Sequence, residues 1–308
     1  MRIFVLMLSL LLSTAVHAQG AFRAYLASYG SDTNPCTVTA PCRLLPAALD
    51  AVAYGGEIWM LDSANFNSGA VDIGKSVSIM AVPGQVGSIV AVGGQPALTI
   101  TASGLRIALR NLVVTNNVVY TGGSGLVISG NSEVSVEDCV FSAVNGVAIY
   151  VHDSAARVVV RNTTFRYISN GSVSAVNGPT VTVVSSHAMR AHGFTAATTV
   201  ANTTTRLSVT DSTIDQPVNP AVGASSTIAT GAVYVHVNRC TIHDATEAIF
   251  ASGDGGTATV YVNSSSIADS TWGMYASGAG ASIVSMGNNE ISHTSIPITG
   301  PVTTATLY

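Results

Sequence analysis

Charge is scarce in this chain. Charged residues make up 9% of its 308 positions, against about 25% in an ordinary soluble domain. That scarcity excludes a charge-studded helical bundle, a coiled coil and a disordered acidic tail. A basic surplus is missing as well: 12 lysines and arginines stand against 16 acidic residues, a formal net charge of −4. Nucleic-acid binders carry a basic excess or stripe, so nucleic acid is not expected as a partner. Long apolar runs are missing beyond the first dozen residues, and spanning a bilayer takes about 20; no membrane span is expected. Cysteine is sparse, at four.

The first residues supply the one apolar run. Arg2 precedes the nearly unbroken apolar stretch 3–12, and Val16-His17-Ala18 places small or modest side chains before a cut after Ala18. This is the layout of a secretory leader, so residues 1–18 are expected to be removed and the product to reach the periplasm or the exterior. Cys36 and Cys42 lie in a short segment with Pro35 and Pro41. In an oxidising compartment such a loop is expected to be clipped by a disulfide. No further Cys or His is close enough in sequence to suggest a metal site there.

What the sequence does contain is a repeat. Apolar residues alternate, a small polar residue follows, and another apolar residue comes three positions later. The copies are Ile107/Leu109/Asn111 with Val114, Val134/Val136/Asp138 with Phe141, and Val158/Val160/Asn162 with Phe165. A weaker copy is Thr182/Val184/Ser186 with Met189. Then come Leu207/Val209/Asp211 with Ile214, Val235/Val237/Arg239 with Ile242, Val260/Val262/Ser264 with Ile267, and Val284/Met286/Asn288 with Ile291. The polar anchors recur every 24 to 28 residues. Alternation is the strand signature, and many copies hold a second short apolar stretch after a glycine, such as 125–128 and 273–276. A unit of this size cannot bury its apolar face alone, whereas stacked units share a continuous core. A propeller blade needs about 40 residues and a leucine-rich repeat needs a leucine consensus. The expected fold is all-β: a single parallel β-helix.

Copies such as Val134-Ser135-Val136-Glu137-Asp138-Cys139-Val140-Phe141 and Val158-Val159-Val160-Arg161-Asn162-Thr163-Thr164-Phe165 resemble the right-handed β-helix repeats of the pectate-lyase-like superfamily. The likeness covers about residues 56–295. Residues 30–45, followed by Gly55-Gly56-Glu57-Ile58, resemble the N-terminal lead-in of bacterial secreted β-helix proteins. The expected organisation is a leader at 1–18, a lead-in and cap at 19–55, the β-helix at 56–295 and a C-terminal cap at 296–308. The segment 44–52 is the expected capping helix, with Leu45, Ala48 and Val52 on one face. The fold hosts lyases, hydrolases, epimerases, adhesins and inert scaffolds, so it does not fix a function. Pectate lyases of this fold use clustered acidic residues to hold calcium; no cluster of three or four carboxylates at ladder spacing is present, and no cofactor is expected. Polygalacturonases of this fold use an adjacent Asp-Asp pair and a His-Gly element; only Ala191-His192-Gly193 is found.

Stacking turns repeat positions into surface columns, about 4.8 Å per coil. Cys139 and Cys240 occupy equivalent sites four coils apart, about 19 Å, too far for a bridge; both are expected to be free, packed thiols. The position after the apolar anchor and its neighbour gather Arg166, Tyr167, Arg190, Asp215, Gln216, His243, Asp244 and Asp269 along one edge, with His192 close by. Guanidinium forks, carboxylates and an aromatic ring suit a polar polymer such as a polysaccharide, and Asp215 and His243 are the acid/base candidates. The plain alternative is a solvated turn edge whose ion pairs contribute little. Three functions are compatible with these features: a secreted binder of extracellular or cell-surface polysaccharide, a divergent polysaccharide lyase or glycoside hydrolase, and a passive structural or adhesive solenoid.

Overall fold

The structure is a computed structural model that describes residues 20–116 and 123–305; the expected leader lies outside them. Three parallel sheets stack strand on strand into a solenoid of about ten turns. Sheet 1 has twelve strands, from Ala21–Leu26 to Val302–Thr304; sheet 2 has ten, from Ala64–Asn65 to Glu290–Ser292; sheet 3 has ten, from Val71–Asp72 to Ile296–Thr299. Each coil visits sheets 1, 2 and 3 in turn. Residues 296–304 add a final strand to sheets 3 and 1. The strand Ala21–Leu26, which the repeat pattern does not reveal, pairs in parallel with Val52–Met60 and begins sheet 1.

Strand alternation builds the core. On sheet 1 the pairs Ile107/Leu109, Val134/Val136, Val158/Val160, Leu207/Val209, Val235/Val237 and Val260/Val262 point inward and are almost fully buried. Each such side chain contributes about 1.5–3 kcal/mol by leaving water. Sheet 2 sends in Phe141 and Phe165, stacked at 5.5 Å, and sheet 3 sends in Phe194 against Phe165 at 5.7 Å.

In two copies the repeat slips by one residue. In the coil after Phe165, Val181, Val183 and Ala188 face inward, and Met189 does not. The methyl of Ala188 suffices there because the ring of Phe194 reaches Phe165 from sheet 3. The turn anchor is therefore Ser185, not Ser186. In the last full coil Ile283 is buried, and Gly287 takes the turn conformation at φ 77° in place of Asn288. The turn before Ile291 holds one extra residue, so counting three back from the anchor misses it.

The turn from sheet 1 to sheet 2 is left-handed at Asn111, Asp138, Asn162, Ser185, Asp211, Arg239 and Ser264. The following side chain points into the core. Thr163, Ser186, Ser212 and Ser265 are buried, and each hydroxyl donates to the carbonyl two residues back. Cys139 and Cys240 fill the same position as free, buried thiols, and their Sγ–H groups donate to the carbonyls of Glu137 and Asn238. Burial pushes the Cys139 thiol up to about 12. Cys36 and Cys42 are joined by a disulfide. The helix spans Leu45–Ala51 and buries Leu45, Ala48 and Leu49; Val52, expected on the helix, instead starts a strand of sheet 1. It is the one helix among the described residues.

Candidate functional site

The edge column lies at the left-handed turn between sheets 2 and 3. Ala143, Tyr167, Arg190, Gln216, Asp244, Asp269 and His293 all have φ between 48° and 55° or, for Arg190, 47°. The amides of the first six donate to the next coil, as from Tyr167 to the Met189 carbonyl and from Arg190 to the Asp215 carbonyl. Arg190 therefore stacks with Tyr167 and Gln216. The expected column with Arg166 is corrected to Ser142, Arg166, Met189, Asp215 and His243. Asp215 and His243 do stand opposite each other on adjacent strands. Arg166 donates to the Ser142 hydroxyl at 3.0 Å and Arg190 to Gln216 Oε1 at 2.8 Å. Asp269 lies 4.0 Å from His293. His192 sits past the turn, half-buried, its amide bound to the Ile168 carbonyl.

Two hollows open on a different surface, the outer face of sheet 1. Neither includes a residue of the edge column. The first, about 790 Å³, is lined by Tyr54, Ser76, Ser78, Gly104, Arg106, Ala108, Glu133, Ser135, Arg157 and Val159. Its floor follows from register: Ser78, Ala108, Ser135 and Val159 are stacked neighbours in the central outward column. Small side chains there leave a trough. Larger ones flank it, Arg106, Glu133 and Arg157 on one side and Arg110, Glu137 and Arg161 on the other, each again in stacked register. Tyr54, 69% exposed, stands at the mouth.

The charges of this trough are unbalanced. Glu133 is paired with Arg106 at 3.2 Å and Glu137 with Arg110 at 2.9 Å. The side chains of Arg157 and Arg161, in one strand, have neither a hydrogen bond nor an ion pair among the described residues. Four arginines therefore surround two glutamates on a protein whose net charge is −4. The two free guanidinium stems start about 13 Å apart, four residues along a strand. The Arg106–Glu133 pair is open to solvent on both sides, and such pairs contribute about 0–1 kcal/mol.

The second hollow, about 430 Å³, lies further along the same face and is lined by Ser208, Thr210, His236, Asn238, Tyr261, Asn263 and Met286. Here the central column rises, with His236 and Tyr261 stacked at 4.7 Å and 12°. Burial of the stacked ring face, then the charge of Arg206, hold the His236 imidazole below its ordinary range. Arg206 itself lies 5.4 Å over the Tyr234 ring.

The right handed beta helix region family matches residues 98–188. The structure resembles endo-xylogalacturonan hydrolase from Aspergillus tubingensis at TM-score 0.60, with 14% identity over 92% of this chain and 100% of that one. It resembles pectate lyase Pel9A at TM-score 0.57, with 12% identity over 90% of this chain and 78% of that one. No curated protein sequence matches the chain. The chain is a right-handed parallel β-helix protein with the pectate-lyase-like fold.

Proposed function

We propose that this protein is exported and binds an acidic polysaccharide along the outer face of sheet 1. The observation that carries the reading is the trough with two arginine side chains that have no partner among the described residues, Arg157 in its lining and Arg161 four residues further along the same strand, beside a floor of small side chains. Guanidinium forks match carboxylates in geometry and charge, and coils spaced by about 4.8 Å present them along a linear chain. Two structural neighbours are named for xylogalacturonan and pectate, which supports a uronate-bearing polymer. The disulfide between Cys36 and Cys42 fits an oxidising compartment. Affinity electrophoresis through gels containing polygalacturonate tests the proposal. The protein is expected to be retarded, and Arg157→Ala with Arg161→Ala to lose about tenfold in affinity, roughly 1.4 kcal/mol. Equal mobility with and without the polymer would refute it.

A second reading adds chemistry to binding. His236, kept neutral beside Arg206 and stacked on Tyr261 on the same face, is suited to accept a proton from a polymer that extends past the trough. Release of unsaturated or reducing ends that disappears in His236→Gln would establish it. The edge carrying Arg166, Tyr167, Arg190, Asp215, Gln216, His243, Asp244 and Asp269 is the competing surface for the same polymer, with Asp215 and His243 as its acid/base pair.

A further inference from the structure

A different chemistry gathers on the outer face of sheet 3, in its last coils. Phe250 and Tyr275 lie opposite each other on adjacent strands, ring centroids 5.6 Å apart. Trp272 stacks on Tyr275 at 5.8 Å and 26°. All three rings are half-buried, forming a shelf, and the exposed Ile296 stands opposite Trp272 on the next strand. Glu247 stands opposite Trp272 on the neighbouring strand.

Pro220 packs over Gly223, the residue opposite Phe250 on the neighbouring strand. Gly223 makes that approach possible, because a Cβ there would come within 2.9 Å of Pro220 Cγ. Burial pushes the Glu247 carboxyl above its ordinary range, which the nearby Asn219 side chain partly offsets, while Asn219 Oδ1 is buried with no donor. The indole N–H of Trp272 has no acceptor among the described residues. A buried polar atom without a partner is uncommon in folded proteins, and Asn219 Oδ1 is one, near the Glu247 carboxylate that stands opposite Trp272. The surroundings are acidic: Asp244 and Asp269 occupy the turns that lead into the strands Glu247–Ser252 and Trp272–Ser277. At these last turns, beyond Arg166 and Arg190, a uronate polymer is repelled by that field.

We propose that this shelf is a second carbohydrate site, taking an uncharged sugar ring of a polysaccharide on Trp272 and Tyr275, with Glu247 and the Trp272 indole N–H bonding its hydroxyls. Sugar rings have apolar faces that lie on aromatic side chains and hydroxyl edges that need fixed polar partners. The site stands independently of the trough on sheet 1, from which it differs in sheet, charge and ligand class.

The probes are galactomannan and hydroxyethyl cellulose, with polygalacturonate for contrast. Both neutral polymers are expected to retard the protein in affinity gels, and Tyr275→Ala to lose about tenfold in affinity. Glu247→Gln, nearly isosteric, is the fold-safe companion and is expected to weaken binding several-fold. Trp59→Phe leaves Trp272 as the sole tryptophan; neutral polymer should shift its emission and polygalacturonate should not. No retardation by either neutral polymer, full retardation of both variants, or an equal emission shift with polygalacturonate would overturn the proposal. Loss of polygalacturonate binding in the Arg157/Arg161 double variant reports on the trough alone.

Discussion

At the residue scale, position inside the coil decides chemistry. Cys139 and Cys240 look like reactive groups in a list of side chains, yet they stand in for the serines and threonines of an interior turn ladder. With Cys139 raised to about 12 by burial, almost no thiolate forms near neutral pH. Iodoacetamide is therefore expected to leave both thiols unmodified in the native protein and to label both in denaturant; native-state labelling at a comparable rate would contradict the packing. His236 behaves oppositely, at the surface. Its folded value lies below the ordinary 6.5 because burial and Arg206 disfavour the cation. The unfolded chain then binds more protons below that pH, so the stability this group provides is present above about pH 6.5 and lost as pH falls through the folded value. His236→Gln should flatten that part of the stability profile. An unchanged acid limb in thermal unfolding would count against the assignment.

At the element scale, the turns carry strain that the sequence only half displays. Ala143 holds φ 54°, a region that costs an L-residue roughly 1–2 kcal/mol. Ala143→Gly removes that cost and adds some unfolded-state entropy, so a net gain of about 0.5–1 kcal/mol is expected in urea unfolding; a loss would show that the turn depends on the methyl group. Phe165 packs against both Phe141 and Phe194, and Phe165→Ala is expected to cost about 3–5 kcal/mol, read from the same midpoints. The solenoid was legible because alternation and the polar anchor recur in most coils from Ile107 onward. The two slips had local physical causes: the small Ala188 is backed by a phenylalanine from another sheet, and the turn at Gly287 holds an extra residue. The edge residues were legible as a column, except for Arg190, which follows the first slip. The trough was written in the same copies, where the position before the anchor reads Arg110, Glu137, Arg161 and the position before the first apolar residue reads Arg106, Glu133, Arg157. Its concavity depends on the small central column and on Tyr54, 24 residues before Ser78, a relation visible only in three dimensions.

At the scale of the whole molecule, the solenoid separates charge by face. The trough on sheet 1 is basic, while the last coils at the turn into sheet 3 are acidic and aromatic. Stacking makes each face a ruler with the same interval, so one rigid body can present different chemistry to different polymers. The affinity of an oligogalacturonate, measured by calorimetry at low and at physiological salt for three proteins, tests the central claim most directly. The proteins are the wild type, Arg157→Ala with Arg161→Ala, and Arg166→Ala with Arg190→Ala. The trough account predicts salt-sensitive binding that weakens about tenfold in the first variant and is unchanged in the second. Full affinity in the first variant, with loss in the second, would contradict it and move the ligand to the edge between sheets 2 and 3.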